Sequence, residues 1–473
     1  MKNSFRLAFV LGTCSLIIAG VNAQKKISPQ ALAQSAAKAA APAIKNPQIK
    51  FQDIKLKNGL RVLLVEDHSA PVISLVVNYN VGSRDEKKGR TGFAHLFEHM
   101  MFQGSENVGK SEHFMLIDNN GGQMNGTTNT ERTIYFETLP ANQLDLAIFL
   151  ESDRMKSLDI SQANLDNQRN AVQEERRLRL DNQPYGKANE QFGELMYDNF
   201  AYKHSVIGSM EDLSAATVND VRDFFRLYYA PNNAVLALVG DFKSADALNR
   251  IKKQFEAIPA QPTPPPVDIA EPAQTAERRM QVDDSLAQLP MLRIGYKGLI
   301  GNTLDAYAMT ILNTVLSGGQ SSRLYQKIVK DKQLALQIGG FAQAGRGAGS
   351  YNLQAIIAPG KKSDEVEAII NEEISRLQTE PIADWELEKA KSFARRSTIG
   401  SMNGSLSIGM SLAQDAIAYN DPNLINTRLQ KLAVVTKDDV MRVAKKYLQA
   451  NNRTVLLAQP KPKVGAPAAG GAK

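Results

Sequence analysis

The sequence predicts an α+β protein made of two similar domains, each an antiparallel-rich sheet with helices packed against it in an α/β sandwich. Three observations support this prediction. The chain has 473 residues, of which 43% are hydrophobic, and this length exceeds what one hydrophobic core usually organises. The predicted strands come in runs beside helices instead of alternating strictly with them. Their order is repeated after a Pro-rich stretch, which indicates an internal duplication.

The first 48 residues predict export. Lys2 and Arg6 precede an apolar run over 7–20 that ends in small residues up to Ala23, a pattern typical of a secretory signal peptide at 1–23. The run is too short to favour a permanent membrane span. Residues 24–48 are rich in Ala, Lys and Gln and predict a flexible tether. Cleavage would remove Cys14, the only cysteine. We therefore expect a periplasmic protein of a Gram-negative bacterium without disulfides or thiolate metal ligands.

The first predicted domain covers residues 49–258. Lys57-Asn58-Gly59 forms the turn of a hairpin between apolar segments at 51–56 and 61–66. Alternating or continuous apolar patterns predict further strands at 72–80, 123–128, 133–138 and 234–241. Apolar periodicity and capping residues predict helices at 140–155, 161–180, 218–229 and 245–258.

A linker at 259–277, which contains six prolines, leads to a second predicted domain at 278–459. Its predicted strands are 292–296, 351–358 and 454–457, and its predicted helices are 306–316, 321–329, 363–377, 385–396 and 437–448. Residues 460–473 are rich in Pro, Gly and Ala and predict a disordered tail. The net charge of +7 is not concentrated beside aromatic residues, so no nucleic-acid partner is expected. No further stretch predicts a membrane span.

The chemistry is expected to centre on one short helix that contains His95, Glu98 and His99. Residues three and four apart share a helix face, so both imidazoles can reach one metal ion while the carboxylate lies beside them. Neighbouring Phe and Met residues indicate a buried helix. The order His-x-x-Glu-His is the inverzincin arrangement of zinc peptidases. By itself this short pattern leaves two alternatives open, a metal site and ordinary buried histidines.

A catalytic zinc site requires a third protein ligand, and the helix at 162–180 offers one. With a step of about 100° per residue, Leu165, Ala171, Val172 and Leu178 define an apolar side, and Glu175 and Gln168 fall near its middle. A buried carboxylate needs a cation to offset its desolvation. A metal ion would supply that charge; the alternative is a surface ion pair with Arg176 or Arg179.

Taken together, these motifs resemble the pitrilysin/insulinase family of zinc peptidases, which includes the mitochondrial processing peptidase. The resemblance covers roughly residues 48–459. The matching segments are His95-Leu-Phe-Glu-His99, Gly122-Gln-Met-Asn125-Gly126, Tyr135–Pro140, Gln168-Arg-Asn-Ala-Val-Gln-Glu-Glu175, Ile207–Leu213, Tyr229–Asp241 and Gly318–Tyr325.

The resemblance implies a zinc metalloendopeptidase that holds one Zn²⁺ per chain through His95, His99 and Glu175. Glu98 would be the general base that activates water at the zinc to hydrolyse peptide bonds in peptides or unfolded segments. Asn125 and Gly126 would bind substrate through an edge strand. The family encloses substrates between two halves of a clam shell. A chain of this length would be one half, so a dimer is expected.

Two departures from the family pattern matter. Gln168 replaces a glutamate seven residues before the third ligand and could still hydrogen-bond that ligand set. Val329 and Leu336 occupy the positions of an Arg/Tyr pair that stabilises the oxyanion. We therefore expect a heterodimer in which a homologous chain supplies that pair, with a homodimer as an alternative. The competing functional hypotheses are a structural or binding subunit with little activity and a zinc hydrolase of non-peptide amides.

Overall fold

Two mixed β-sheets carry the fold in the computed structural model, which describes residues 47–461. The predicted signal peptide, most of the predicted tether and most of the predicted tail lie outside these residues. The strands of the first sheet are β1 (Gln52–Lys55), β2 (Arg61–Glu66), β3 (Val72–Tyr79), β4 (Gln123–Thr128), β5 (Thr133–Pro140) and β6 (Ala234–Gly240). The strands of the second sheet are β7 (Arg278–Asp284), β8 (Met291–Leu299), β9 (Ala335–Gln343), β10 (Gly349–Ile357) and β11 (Arg453–Pro460).

The two sheets repeat one topology. The first has the order β1-β2-β6-β3-β5-β4 and the second has the order β7-β11-β8-β10-β9. Each sheet contains one parallel pair of strands, β2 with β6 in the first sheet and β7 with β11 in the second. All other neighbouring strands pair antiparallel. Strand β1 is an addition at the edge of the first sheet. These pairings confirm the predicted fold class of two similar α/β sandwiches.

Helices follow the strands in both halves. Those of the first half are α1 (Phe93–Met100), α2 (Glu112–Asn119), α3 (Leu144–Lys156), α4 (Gln162–Arg176), α5 (Gly186–Met196), α6 (Phe200–Lys203), α7 (Met210–Ser214), α8 (Val218–Tyr228) and α9 (Ser244–Phe255). Those of the second half are α10 (Leu304–Leu316), α11 (Ser363–Thr379), α12 (Asp384–Gly400), α13 (Ser405–Tyr419), α14 (Leu424–Ala433) and α15 (Lys437–Tyr447). None of the helices in the described part of the chain is both long and apolar enough to cross a membrane.

Each half contributes a helix to the sheet of the other half. Successive residues of a strand face opposite sides of its sheet. Along β2, Val62 and Leu64 face the main core of the first half, whereas Leu63 and Val65 pack against Leu412 and its neighbours on α13. In the same way α5 covers the outer face of the second sheet. Because of this exchange, both faces of the central strands β3, β6, β8 and β10 are largely buried.

The predicted domain boundaries at 49–258 and 278–459 stay a prediction. Helix α9 ends at Phe255 and β7 begins at Arg278, with neither helix nor strand between them. Helices α5 and α13 each pack on the sheet of the other half, so contacts cross the boundary between the two predicted domains.

Several local expectations were wrong. The predicted helix over 321–329 is a π-helix over Tyr325–Asp331. Helix α4 also changes to π winding, at Arg177–Asp181. The 100° step therefore no longer applies at Leu178, which is exposed, and Ala171 is exposed as well. Strands β7 and β9 and helices α2, α5, α13 and α14 were not predicted from the sequence.

Candidate metal and catalytic site

Helix α1 is fixed in the core by its apolar residues. Phe93, Leu96, Phe97 and Met100 are all buried. The ring of Phe97 lies 4.1 Å from the ring of Tyr229, centroid to centroid. This packing sets the rotation of α1 and turns the face that carries the histidines away from the core.

Glu86 holds the beginning of α1, a role that sequence reasoning missed. Its buried carboxylate accepts hydrogen bonds from the backbone N–H groups of Gly92 (2.9 Å) and Ala94 (2.8 Å), which have no carbonyl partner within the helix. His204 Nε2 lies 2.9 Å from the same carboxylate. Burial raises the pKa of Glu86. A pairing across more than 100 residues leaves no periodic signal in the sequence.

The structure brings His95, His99 and Glu175 together. Oε2 of Glu175 lies 3.7 Å from Nε2 of His95 and 3.2 Å from Nε2 of His99, and one ligand atom from each residue lies within 4.8 Å of the other two. Atoms about 2.0–2.2 Å from one tetrahedral zinc ion are roughly 3.3–3.6 Å apart. The three side chains therefore fit a zinc ion in both chemistry and spacing.

The outer nitrogens of the two imidazoles differ in their surroundings. His99 Nδ1 lies 3.3 Å from Oε1 of Gln168, so the neutral ring can donate to the amide oxygen and keep Nε2 free for a metal. His95 Nδ1 is buried and has no hydrogen-bond partner among the described residues. Burial, together with the nearby His99, lowers the pKa of His95 to about 4. A neutral ring is the form that binds metals.

Glu175 also forms an ion pair with Arg179, which is the alternative to metal binding given above. Its Oε1 lies 2.7 Å from Nη1 of Arg179, one turn further along the chain. The Arg179 side chain is 77% exposed and that of Glu175 is 17% exposed. An ion pair with one largely solvated partner contributes little free energy, and it occupies a single carboxylate oxygen. The other oxygen remains directed at the two imidazoles.

Glu98 lies beside this triad in a buried position. Its Oε2 accepts a hydrogen bond of 2.5 Å from the Thr128 hydroxyl. Burial raises the pKa of Glu98 to about 7, although the Thr128 hydrogen bond favours the ionised form. A divalent cation at the triad would also favour the carboxylate. Such a group can accept a proton near neutral pH.

Gly126 and Asn125 lie on β4, the edge strand of the first sheet. A Cβ at position 126 would lie 3.0 Å from Cγ of Glu98, so glycine leaves room for the Glu98 side chain. Asn125 is exposed, and its Oδ1 accepts from the N–H of Gly126. Within residues 47–461, only one edge of β4 is paired, with β5. Its other edge is free to accept a strand.

Val329 and Leu336 lie in the second half. Val329 is half-buried on the π-helix, and Leu336 is 57% exposed on β9. Neither side chain has a hydrogen-bond donor, so neither can stabilise an oxyanion.

Comparisons with known proteins identify the family of the chain. Residues 61–208 match the family described as "Insulinase (Peptidase family M16)", and residues 215–393 match "Peptidase M16 inactive domain". The zinc protease PqqE of Helicobacter pylori is 30% identical over 427 residues, which cover 87% of this chain and 93% of that protein.

Two solved structures share the fold. The crystal structure of a protease from Helicobacter pylori matches with a TM-score of 0.84 and 29% identity, covering 88% of this chain and all of that one. The periplasmic protease PqqL from Escherichia coli matches with a TM-score of 0.71 and 18% identity. In that case the match covers 90% of this chain but only 50% of PqqL.

Proposed function

The chain belongs to the M16 family of insulinase-type peptidases, and on that basis we propose that it is the zinc-bearing subunit of an exported metallopeptidase. The proposed reaction is the hydrolysis of peptide bonds in peptides or unfolded segments. The observation that carries the proposal is the convergence of His95, His99 and Glu175 within 4.8 Å, with Glu98 beside them.

His95, His99 and Glu175 would hold one zinc ion per chain through the two Nε2 atoms and Oε2. A zinc ion at this position supplies Lewis-acid chemistry for the attack of water on a carbonyl group. Gln168 orients His99, and Phe97 keeps α1 in the rotation that presents both rings. Burial keeps His95 neutral, so no proton competes for its Nε2 near neutral pH.

Glu98 acts as the general base. It accepts a proton from the attacking water and then donates this proton to the leaving amine. Thr128 holds one carboxylate oxygen, so the other is available for proton transfer. Asn125 and the free edge of β4 bind the substrate backbone as an added strand, because unpaired N–H and C=O groups along an edge accept an extended peptide.

The oxyanion donors would come from a second chain. Val329 and Leu336 cannot supply them, and the match to half the length of PqqL supports a partner that provides the remaining half. The partner we favour is a homologous chain that carries an Arg and a Tyr; a second copy of this chain would lack the same donors.

The proposed export of the chain rests on its N-terminal sequence and on its similarity to PqqL, which is a periplasmic protease. We accordingly propose that the chain works in the periplasm.

One observation favours a second candidate function, a binding subunit without its own activity. The segment at 215–393 matches a family described as inactive, and this segment contains the positions that lack the donors. The segment that carries the zinc residues up to Glu175 matches the peptidase description instead, which favours catalysis.

Peptide hydrolysis by the purified protein tests the proposal. We expect cleavage of an unfolded peptide only after a homologous chain with the Arg/Tyr pair is added. Glu98→Gln should abolish that cleavage, because glutamine cannot accept the proton. Full activity of the chain alone would contradict the split site, and inactivity in both mixtures would favour the binding subunit.

A further inference from the structure

A cavity separate from the histidine site lies where α5 crosses the outer face of the second sheet. Its volume is about 290 Å³, close to the lower end of the range for pockets that hold small ligands. The side chains that line it include Glu131, Phe192, Tyr197, Arg293, Ser350 and Asn352. The cavity is therefore built from both halves of the chain, which fixes its walls through the exchanged helix.

Arg293 faces this cavity without a carboxylate partner. Its guanidinium lies over the ring of Phe192, 4.4 Å from the centroid, and Nη1 donates to Oδ1 of Asn189 at 2.6 Å. No carboxylate of residues 47–461 forms an ion pair with it, and its buried Nε has no acceptor among these residues. Burial lowers the pKa of Arg293 to about 10, so the group is still a cation at neutral pH.

The arginines that are buried most deeply among residues 47–461 are paired. Arg84 lies beside Asp85, Arg154 beside Glu151, and Arg176 beside Glu190. Such pairing is expected, since burial of a charge is costly unless an opposite charge offsets it. Arg293 is half-buried and lines the cavity without such a partner, so its guanidinium is available to an anion that enters the cavity.

Asn352 provides a second unmatched group in the same cavity. The residue is 2% exposed; its Nδ2 donates to Ser350 Oγ, and its Oδ1 has no donor. In the pairing of β8 with β10, Asn352 lies opposite Gly295 and Gln354 lies opposite Arg293. Arg293 and Asn352 are thus diagonal neighbours on one face, with Cα atoms roughly 7–8 Å apart. The cavity offers a free cationic donor and a free acceptor close together.

We propose that this cavity binds the carboxyl terminus of a peptide or of a free amino acid. The carboxylate accepts hydrogen bonds from Arg293, and the adjoining N–H donates to Oδ1 of Asn352. An acidic side chain offers the same charge but lacks an N–H beside it. Glu131 does not replace the ligand, because its carboxylate already accepts from the N–H of Arg346 and from the Tyr202 hydroxyl.

This inference rests on the cavity and not on the peptidase activity. Titration calorimetry on the full chain carrying Glu98→Gln keeps the probes intact whether or not the chain is a peptidase. The probes are acetyl-trialanine with a free carboxylate, its C-terminal amide, and an amidated tripeptide with a central glutamate. We expect the free carboxylate to bind at least tenfold more tightly than its amide. Tighter binding of the glutamate probe would identify an acidic side chain as the source of the carboxylate.

Two variants show whether that binding occurs in the cavity. Arg293→Met keeps the stem over Phe192 and removes the charge, so we expect at least a tenfold loss of affinity with an unchanged or higher Tm. Asn352→Asp places a carboxylate beside Arg293, so we expect a higher Tm and loss of binding; this variant decides the question if the first does not fold. Equal binding of carboxylate and amide, or unchanged binding in both variants, would overturn the proposal.

Discussion

At the residue scale, the carboxylates of Glu175 and Glu98 lie near the same two imidazoles but contact different partners. One oxygen of Glu175 faces the two Nε2 atoms, whereas Glu98 is held by the Thr128 hydroxyl. The pKa of Glu98 is raised to about 7 because it is more deeply buried than an ordinary surface glutamate. One carboxylate is thus suited to binding a metal and the other to transferring a proton.

The Thr128 hydroxyl is expected to position the base. Thr128→Val keeps the shape of the side chain but removes the hydrogen bond to Glu98, so we expect kcat to fall about tenfold with unchanged zinc content. The matched control is Thr128→Ser, which keeps the hydroxyl and should retain most of the activity. Steady-state kinetics of the assembled enzyme measures both, and equal rates for the two variants would contradict this role.

Gln168 is expected to support the metal through His99. Gln168→Leu removes the acceptor of Nδ1, and we expect zinc affinity to fall by about 10- to 100-fold. Gln168→Glu restores an acceptor with a negative charge and should bind zinc at least as tightly as the wild type. Competition with a chelator measures the affinities, and an unchanged affinity in the leucine variant would show that Gln168 has no such role.

At the scale of elements, α3 is held by a buried ionic cluster. Arg154 forms an ion pair with Glu151 and lies 4.5 Å from the centre of the Tyr135 ring. Burial raises the pKa of the neighbouring Glu137. A second group of side chains with metal-ligand chemistry consists of His113, Glu137 and Glu151. The Arg154 guanidinium already supplies a positive charge to this group.

Loss of that guanidinium is expected to be costly. Arg154→Met leaves Glu151 buried without its partner, and we expect the free energy of unfolding to fall by about 3–5 kcal/mol. The control is Arg250→Met, which breaks exposed ion pairs of α9 with Asp145 and Asp246 and should cost about 1 kcal/mol or less. Denaturant titration measures the free energy of unfolding of both variants. Similar losses in the two variants would mean that burial does not determine the cost of breaking the ion pair.

The elements that could be predicted are those whose signal lies within one helix or strand. His95 and His99 share a face because they are one turn apart, and Glu175 lies three residues after the buried Val172 on α4. The contacts of His204 with Glu86 and of Thr128 with Glu98 could not be predicted, because they join residues 118 and 30 positions apart in the chain. The π winding after Arg176 could not be predicted either, since an α-helical period assumes uniform winding.

At the scale of the whole molecule, the repeated topology shows that the cluster of His95, His99 and Glu175 has no counterpart on the equivalent helix of the second half. Helix α1 follows β3 in the first half, and α10 follows β8 in the second, so the two occupy equivalent places in the repeated topology. Helix α10 contains no histidine. The second half therefore keeps the fold without the metal ligands, which agrees with one zinc per chain.

Zinc content measured by mass spectrometry tests the central claim most directly. We expect one zinc per chain in the wild type and in Glu98→Gln, and loss of zinc in His99→Gln and Glu175→Gln, with all four proteins folded by circular dichroism. This result would separate the residues that hold the metal from the residue that transfers the proton. Zinc retained in the His99 and Glu175 variants, or absent from the folded wild type, would contradict the account.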